Sequence, residues 1–233
     1  MTTPSISTPI SPQASEIKSI ELRDIHMSYK TPKGRNHVLR GLNLSIPTNR
    51  NLGILGRNGA GKSTMISILS GLLEPDRGSV THNGLRLSWP IGRPAFQGSL
   101  SAYNNIKFVC RVMGIEIQPV FEFVQDFAEL GEYMYMPVKT FSSGMRSRLG
   151  FALSMAVDCD CLLVDEGFGA GDARFRQKMN DIFEQRRAGK NMICVSHNGG
   201  IIRKFCDYAG ILQDGVITVY DDLEEAFSIY ENL

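Results

Sequence analysis

The chain has 233 residues, of which 25 are basic and 24 acidic, so its formal net charge is only +1. This length fits one well-buried α/β domain with a small inserted subdomain, and it excludes two such domains in tandem. The near-neutral charge gives no electrostatic argument for nucleic acid, and we expect no nucleic-acid partner. No apolar run approaches the ~20 residues of a membrane-spanning helix, so we expect any membrane role to be peripheral.

The N-terminal part of the chain divides into a tail and a β-rich segment. Residues 1–16 are rich in Ser, Thr and Pro, which predicts a flexible tail ahead of a domain spanning 17–233. Short alternating apolar patterns follow at 20–29 and again across Leu42, Leu44 and Ile46. They predict antiparallel strands beside a main sheet.

Residues 56–64 form a phosphate-binding loop with the complete pattern GxxxxGK followed by a hydroxyl residue. Glycines allow consecutive backbone N–H groups to approach phosphates, Lys62 reaches the terminal phosphates, and the Ser63 hydroxyl can bind Mg²⁺. An apolar strand precedes the loop and a helical pattern follows it, so the helix N-terminus adds to the anion site. The predicted nucleotide-binding residues of the loop are Gly56, Arg57, Asn58, Gly59, Ala60, Gly61, Lys62, Ser63 and Thr64.

Three segments, 52–56, 161–166 and 192–197, are nearly continuous apolar runs that end in polar residues. Such runs predict strands buried on both faces, as in a parallel sheet covered by helices. Because ligands of these sheets bind beyond the carboxyl ends of the strands, we expect Lys62, Asp165, Glu166 and His197 to converge at one edge.

The adjacent carboxylates Asp165 and Glu166 can divide the chemistry. Asp165 would support a metal shell, while Glu166 would polarise an attacking water. A solvated strand end is the alternative interpretation of this pair when it is considered alone. Its position after an apolar strand, in a chain that carries a phosphate loop, favours the functional interpretation.

Helix-compatible patterns at 104–137 contain no further central strand, which predicts a helical subdomain at about 100–155. Residues 141–150 read Phe-Ser-Ser-Gly-Met-Arg-Ser-Arg-Leu-Gly and begin a further helix. Small residues before a helix form a second anion site, although a plain serine cap is the alternative. Near the C-terminus, Asp214-Gly215 predicts a hairpin turn and 223–230 a short helix.

The order of these motifs resembles that of the ATP-binding-cassette (ABC) ATPases from about residue 18 onward. The resemblance implies an α/β fold: a P-loop NTPase core of the RecA type with a mainly parallel sheet, an N-terminal antiparallel β subdomain and an inserted helical subdomain. It also implies ATP and Mg²⁺ as cofactors, and a homodimer in which two ATP molecules lie between the subunits.

The resemblance also implies residue roles. Ser142, Ser143, Gly144 and Met145 match the signature loop, which contacts the γ-phosphate of the partner's ATP. The usual Leu-Ser-Gly-Gly-Gln is replaced here by Phe-Ser-Ser-Gly-Met, which changes the side chain at position 145 and keeps backbone donors at the helix start. Asp172 matches a loop at the dimer interface.

The remaining implied roles concern ATP and its metal ion. Tyr29 resembles the aromatic residue on which adenine stacks, with a packed strand tyrosine as the alternative. Gln97 resembles the glutamine that senses Mg²⁺ and the attacking water. His197 resembles the histidine that contacts the γ-phosphate. The implied catalytic residues are Glu166, His197 and Lys62, and the implied metal-binding residues are Ser63, Gln97 and Asp165.

Within the family, the strings at 88–90, 96–100, 142–151 and 171–175 resemble the ATPase subunit of bacterial capsular polysaccharide exporters. That branch implies a homodimer on the cytoplasmic face of the inner membrane, docked to membrane permease subunits that conduct a lipid-linked polysaccharide. Related O-antigen exporters often carry a further carbohydrate-binding domain, so an end at Leu233 favours the capsule branch. Trp89 would be a surface aromatic at the docking face or, alternatively, a packed loop anchor.

Two other functions stay open, and a third is disfavoured. The chain could export another glycan, such as O-antigen or teichoic acid. It could be a soluble cassette ATPase, although such proteins usually carry tandem cassettes or a long coiled-coil insertion. A regulatory module without turnover conflicts with the presence of both Glu166 and His197.

Overall fold

The computed structural model describes residues 18–92, 96–165, 173–196 and 199–233. The predicted tail at 1–16 and three predicted site residues, Glu166, Asp172 and His197, lie outside these ranges. The elements of the described part, in chain order, are β1 Ser19–Thr31, β2 Gly34–Pro47, β3 Leu52–Leu55, α1 Lys62–Leu69, β4 Arg77–Thr81, α2 Ala102–Met113, α3 Ile117–Ala128, α4 Ser143–Ala156, β5 Cys161–Asp165, α5 Ala173–Arg187, β6 Asn191–Val195, α6 Gly199–Phe205, β7 Tyr208–Gln213, β8 Val216–Tyr220 and α7 Leu223–Glu231.

The central sheet has five strands in the order β5-β6-β3-β7-β8. The first four strands run parallel and β8 pairs antiparallel with β7. Every residue of β3 and β5 is buried because both faces of the sheet are covered. Successive residues contribute to different cores: Leu162 packs into the cluster on the helical side and Leu163 into the cluster on the side of α1 and the antiparallel sheet. The predicted mainly parallel sheet is confirmed.

A second sheet of three antiparallel strands has the order β2-β1-β4. Alternation places Ile20 and Leu22 in the core and leaves Arg23 exposed, as the sequence pattern predicts. Strand β4 was not predicted, because its sequence, Arg-Gly-Ser-Val-Thr, has a single half-buried apolar residue, Val80, and lies at the edge of the sheet. Strand β4 forms because it pairs antiparallel with β1.

The helical part comprises α2, α3 and α4, with two short 3₁₀ helices, Gly131–Tyr135 and Val138–Thr140, before α4. Ser101 and Ser142 cap α2 and α4 by accepting hydrogen bonds from backbone N–H groups of the first turn. Aromatic rings fill the interface with α5, where Phe127 lies 5.6 Å from Phe175 between ring centroids. The helical subdomain predicted at about 100–155 corresponds to these elements.

Several smaller features of the described ranges bear on the cysteines, the single tryptophan and the C-terminal hairpin. All five cysteines are buried as free thiols. Trp89 is 3% exposed, so it is a packed anchor and not a surface aromatic. The Asp214-Gly215 turn joins β7 to β8 with both φ angles positive, at 50° and 83°, as a tight hairpin turn requires. Across the described ranges, no helix combines the length and apolar character that crossing a bilayer demands.

Candidate nucleotide site

The phosphate loop joins the carboxyl end of β3 to the start of α1. Gly59 and Gly61 adopt positive φ angles of 86° and 106°, which disfavour other residues. A Cβ atom on Gly61 would also lie 2.7 Å from Cγ1 of Val38. Gly59 is therefore needed for the turn, and Gly61 is needed both for the turn and for close packing against β2.

The loop borders a cavity of about 570 Å³. Its lining includes seven of the predicted residues: Asn58, Gly59, Gly61, Lys62, Ser63, Thr64 and Asp165. Val38, in strand β2, and Gly92, which follows the β-bridge at Ile91, line it too. Neither residue was predicted, because only the fold brings these segments to the phosphate loop. We call this space the phosphate cavity.

The Lys62 side chain is held against the backbone of the phosphate loop. Its Nζ donates hydrogen bonds to the carbonyl oxygens of Gly56, at 2.7 Å, and Arg57, at 3.1 Å, and the residue is only 6% exposed. A buried ammonium group needs such acceptors because its hydration is lost. The cation is thereby kept at the edge of the phosphate cavity.

Ser63 and Asp165 come together from different elements. The Ser63 hydroxyl, in the first turn of α1, lies 3.5 Å from Oδ1 of Asp165 at the end of β5, and Asp165 is 3% exposed. Hard oxygen donors of this kind suit Mg²⁺, and a buried carboxylate gains from a nearby cation. The pair therefore fits the predicted metal site.

Tyr29 and Gln97, two other predicted residues, differ in whether they lie at the phosphate loop. The Tyr29 ring is 41% exposed and its hydroxyl lies 3.2 Å from that of Thr64, so an accessible aromatic face borders the phosphate loop. Gln97 is exposed and does not line the phosphate cavity; its Nε2 donates to Ser99 at 3.2 Å. The structure thus brings Tyr29, but not the Gln97 side chain, to the loop.

The predicted signature loop forms the start of α4. Ser142 is exposed and its hydroxyl accepts a hydrogen bond from the Met145 N–H at 3.2 Å. Ser142, Gly144 and Met145 line a separate open cavity of about 290 Å³ together with Arg148 and Glu129. None of these residues lines the phosphate cavity of the same chain.

Positive side chains surround Glu129 at this second cavity. Lys178 donates to its carboxylate at 2.8 Å, and the Arg174 guanidinium lies 3.2 Å away. These contacts, above all the hydrogen bond from Lys178, hold the pKa of Glu129 below its usual range. The Glu129 carboxyl group, in the wall of this cavity, is therefore ionised over the physiological pH range.

Strand register explains the convergence at the carboxyl edge of the central sheet. Ile54 of β3 is opposite Val195 of β6, and Val195 is opposite Asp165 of β5. In the sequence, Glu166 follows Asp165 directly and His197 lies two residues after Val195. The strands that precede both predicted catalytic residues therefore end side by side, next to the phosphate loop.

The chain belongs to the ABC transporter family, whose sequence profile matches residues 39–169. This confirms the resemblance drawn from the motifs and identifies the chain as the ATP-binding, ATP-hydrolysing part of such a transporter.

Similar proteins include the polysialic acid transport ATP-binding protein KpsT of Escherichia coli, 42% identical over 216 residues that cover 91% of this chain and 96% of KpsT. The capsule polysaccharide export ATP-binding protein CtrD of Neisseria meningitidis serogroup B is 40% identical, with 92% and 99% covered. The teichoic acids export ATP-binding protein TagH of Staphylococcus haemolyticus is 36% identical, with 86% and 78% covered. Among solved structures, a dimeric post-hydrolysis state of the ATP-binding cassette MJ0796 bound to ADP and Pi shares the fold, with a TM-score of 0.65, 22% identity and coverage of 87% and 98%.

Proposed function

We propose that this chain is the ATPase subunit of a bacterial exporter that moves a capsular polysaccharide across the inner membrane. The observation that carries the proposal is the identity of about 40% to KpsT and CtrD over nearly the full length of all three chains. The string at 142–151, which contains the signature residues and resembles the same branch, supports this assignment.

The proposed mechanism places ATP on the phosphate loop. Backbone N–H groups of the loop and the Lys62 ammonium would hold the phosphates, and the exposed Tyr29 ring would stack on adenine. Glu166 would accept a proton from the attacking water, and His197 would contact the γ-phosphate. Lys62 stabilises negative charge as the bond to the γ-phosphate breaks.

Ser63 and Asp165 would hold Mg²⁺, since their oxygens lie 3.5 Å apart beside Lys62. When bound, the ion supplies positive charge that offsets the charge of the phosphates. Gln97 is proposed to sense the ion and the water. Its present hydrogen bond to Ser99 would have to break for the side chain to reach the cavity.

We further propose that a second copy completes the site. The signature residues Ser142, Ser143, Gly144 and Met145 do not line the phosphate cavity of their own chain, and a helix N-terminus attracts phosphate. In a homodimer they would contact the γ-phosphate of the partner's ATP, with Asp172 at the interface. Loss of the γ-phosphate would then let the two halves separate, which is the work stroke.

The proposed partners are membrane permease subunits, and the proposed substrate is a lipid-linked polysaccharide. The ATPase would dock from the cytoplasmic face of the inner membrane as a peripheral subunit. Export of a different glycan is the second candidate function, and it is favoured by the 36% identity to TagH.

A gene replacement in the native bacterium tests the proposal. Deleting the gene should trap an acidic polysaccharide inside the cell, and a plasmid copy of the parent should restore it to the surface. A plasmid carrying Lys62→Ala should not restore it. Unchanged surface polysaccharide after deletion would contradict the proposal, and trapped teichoic acid or O-antigen would favour the second candidate.

A further inference from the structure

The C-terminal helix α7 contacts Gly56, the first residue of the phosphate loop. The Tyr230 hydroxyl donates a hydrogen bond to the Gly56 carbonyl oxygen at 3.3 Å, across 174 residues of sequence. The same oxygen accepts the hydrogen bond from Lys62 Nζ at 2.7 Å. One carbonyl therefore joins the C-terminal helix to the cation that is proposed to bind phosphate.

Helix α7 is firmly attached to the domain, so Tyr230 is a fixed donor. Ala226 and Phe227 are buried, and the half-buried Tyr230 packs against the same core. Asp222 caps the helix by accepting hydrogen bonds from two backbone N–H groups. The Arg203 guanidinium, on α6, lies 3.8 Å from the Phe227 ring centroid and also pairs with Glu224 at 2.9 Å.

Packing also fixes α7 against the start of α6. A Cβ atom on Gly199, the first residue of α6, would lie 2.7 Å from Cε1 of Phe227. Helix α7 thus contacts both the phosphate loop and α6. In the sequence, α6 begins two residues after His197, a proposed catalytic residue.

We infer that Tyr230 is a positioning residue that holds the Gly56 carbonyl when Lys62 turns to the phosphates of ATP. Lys62 Nζ donates to Gly56 O at 2.7 Å in this structure, and in the inferred ATP-bound state it gives up this bond to donate to a phosphate instead. The Tyr230 hydroxyl then keeps the buried carbonyl paired, which avoids the cost of an unsatisfied acceptor. The inference rests on the proposed role of Lys62.

This arrangement predicts where the cost of losing the hydroxyl falls. Without ATP, Lys62 still satisfies Gly56 in a Tyr230→Phe variant. With ATP bound, the carbonyl loses its second donor. We therefore expect Tyr230→Phe to weaken ATP binding by about two- to ten-fold, the effect of one hydrogen bond. The KM for ATP should rise by a similar factor, while kcat stays near that of the parent.

A double-mutant cycle separates this role from simple packing. Equilibrium titrations with ATP in EDTA, which prevents turnover, would compare the parent, Tyr230→Phe, Lys62→Ala and the double variant. In the Lys62→Ala background Gly56 lacks the lysine with or without ATP, so Tyr230→Phe should then leave ATP affinity unchanged. Tyr220→Phe, which removes a hydroxyl from strand β8, is the matched control and should bind ATP as the parent does.

The outcomes are distinguishable. Equal weakening by Tyr230→Phe in both backgrounds, or no weakening in the parent background, would overturn the inference. If Lys62→Ala alone left ATP affinity unchanged, the proposed role of Lys62 would fail instead. Thermal unfolding of each variant without nucleotide checks that the fold is kept, and a Tyr230→Phe variant that lost stability but bound ATP normally would also overturn the inference.

Discussion

The phosphate loop and the signature loop are both short turns that begin a helix, but their surroundings in one chain differ sharply. The phosphate loop lies between β3 and α1, and Lys62 and Asp165 beside it are almost completely buried. The signature loop leaves Ser142 and Ser143 exposed at the start of α4. The first is supported on several sides by its own chain, and the second faces outward.

This difference fits the proposed division of catalysis between two copies. The buried charges at the phosphate loop are preorganised to bind an anion. The exposed N-terminus of α4, by contrast, does not line the phosphate cavity of its own chain. The proposed composite site explains both the buried phosphate loop and the exposed signature loop. The signature loop would act only on a nucleotide held by another copy.

The largest effect is expected at the proposed base, Glu166, which follows Asp165 in the sequence. Glu166→Gln keeps the size of the side chain but removes the proton acceptor, so kcat should fall by about 10²–10⁴-fold. ATP should still bind and stabilise a closed dimer. Steady-state phosphate release and size-exclusion chromatography with ATP measure the two properties, with the exposed Glu116→Gln as control. Hydrolysis at the parent rate would show that Glu166 is not the base.

Lys62→Ala should act on binding. It removes charged hydrogen bonds to phosphate, so ATP affinity should fall by about 10- to 100-fold. Isothermal titration with ATP in EDTA measures this directly. Arg57→Ala removes another positive charge of the loop, but Arg57 does not line the phosphate cavity, and it should weaken binding less. Equal effects of the two variants would argue against a specific role for Lys62.

Gly61→Ala tests the packing that supports the phosphate loop. The variant would have a strained φ of 106° and a contact of 2.7 Å with Val38, and it should lower the free energy of unfolding by about 1–3 kcal/mol. Gly114→Ala is the control, because Gly114 also has a positive φ, of 66°, but its Cβ would meet open space. Urea unfolding without nucleotide compares them. A larger loss for Gly114→Ala would contradict this account.

The smallest effect is expected beside the signature loop, at Glu129. Its carboxylate is stabilised by Lys178, so Glu129→Gln should cost less than about 1 kcal/mol near neutral pH. Because the pKa is lowered in the folded protein, this stabilisation is present above the usual carboxyl range and disappears as the pH falls through the lowered pKa. Urea unfolding at neutral and acidic pH should show a difference that shrinks in acid. A constant difference would exclude the ionic contribution.

The sequence predicted most of the elements whose formation depends on a local apolar pattern. Continuous apolar runs identified β3, β5 and β6, and their register explains why Lys62 and Asp165 line one cavity. Strand β4 was missed because an edge strand with one half-buried apolar residue lacks an alternating signal.

Contacts made across long stretches of sequence were not predictable. Val38 borders the phosphate cavity because β2 passes the loop, and Tyr230 reaches Gly56 because α7 returns to it. The family resemblance implies that Gln97 senses the metal ion; in this structure its side chain donates to Ser99, and Asn105 bonds to its backbone. The roles of all the predicted site residues, including Glu166 and His197, stay predictions.

The central claim is that the signature loop of one copy completes the phosphate loop of another. Gly144→Glu tests it because a Cβ atom at Gly144 would lie no closer than 3.9 Å to Oγ of Ser142, and an acidic residue suits a helix N-terminus but repels phosphate. Gly144→Gln is the matched uncharged control and should retain more activity. The Gly144→Glu and Lys62→Ala chains should each be nearly inactive alone.

ATPase activity of an equal mixture of the Gly144→Glu and Lys62→Ala chains is the most direct measurement. If two copies share each site, mixed dimers contain one intact site, and the mixture should recover about one quarter of the parent activity. If each chain completed its own site, every site would carry a defect. A mixture no more active than the separate variants, at concentrations where the parent is active, would contradict the composite site.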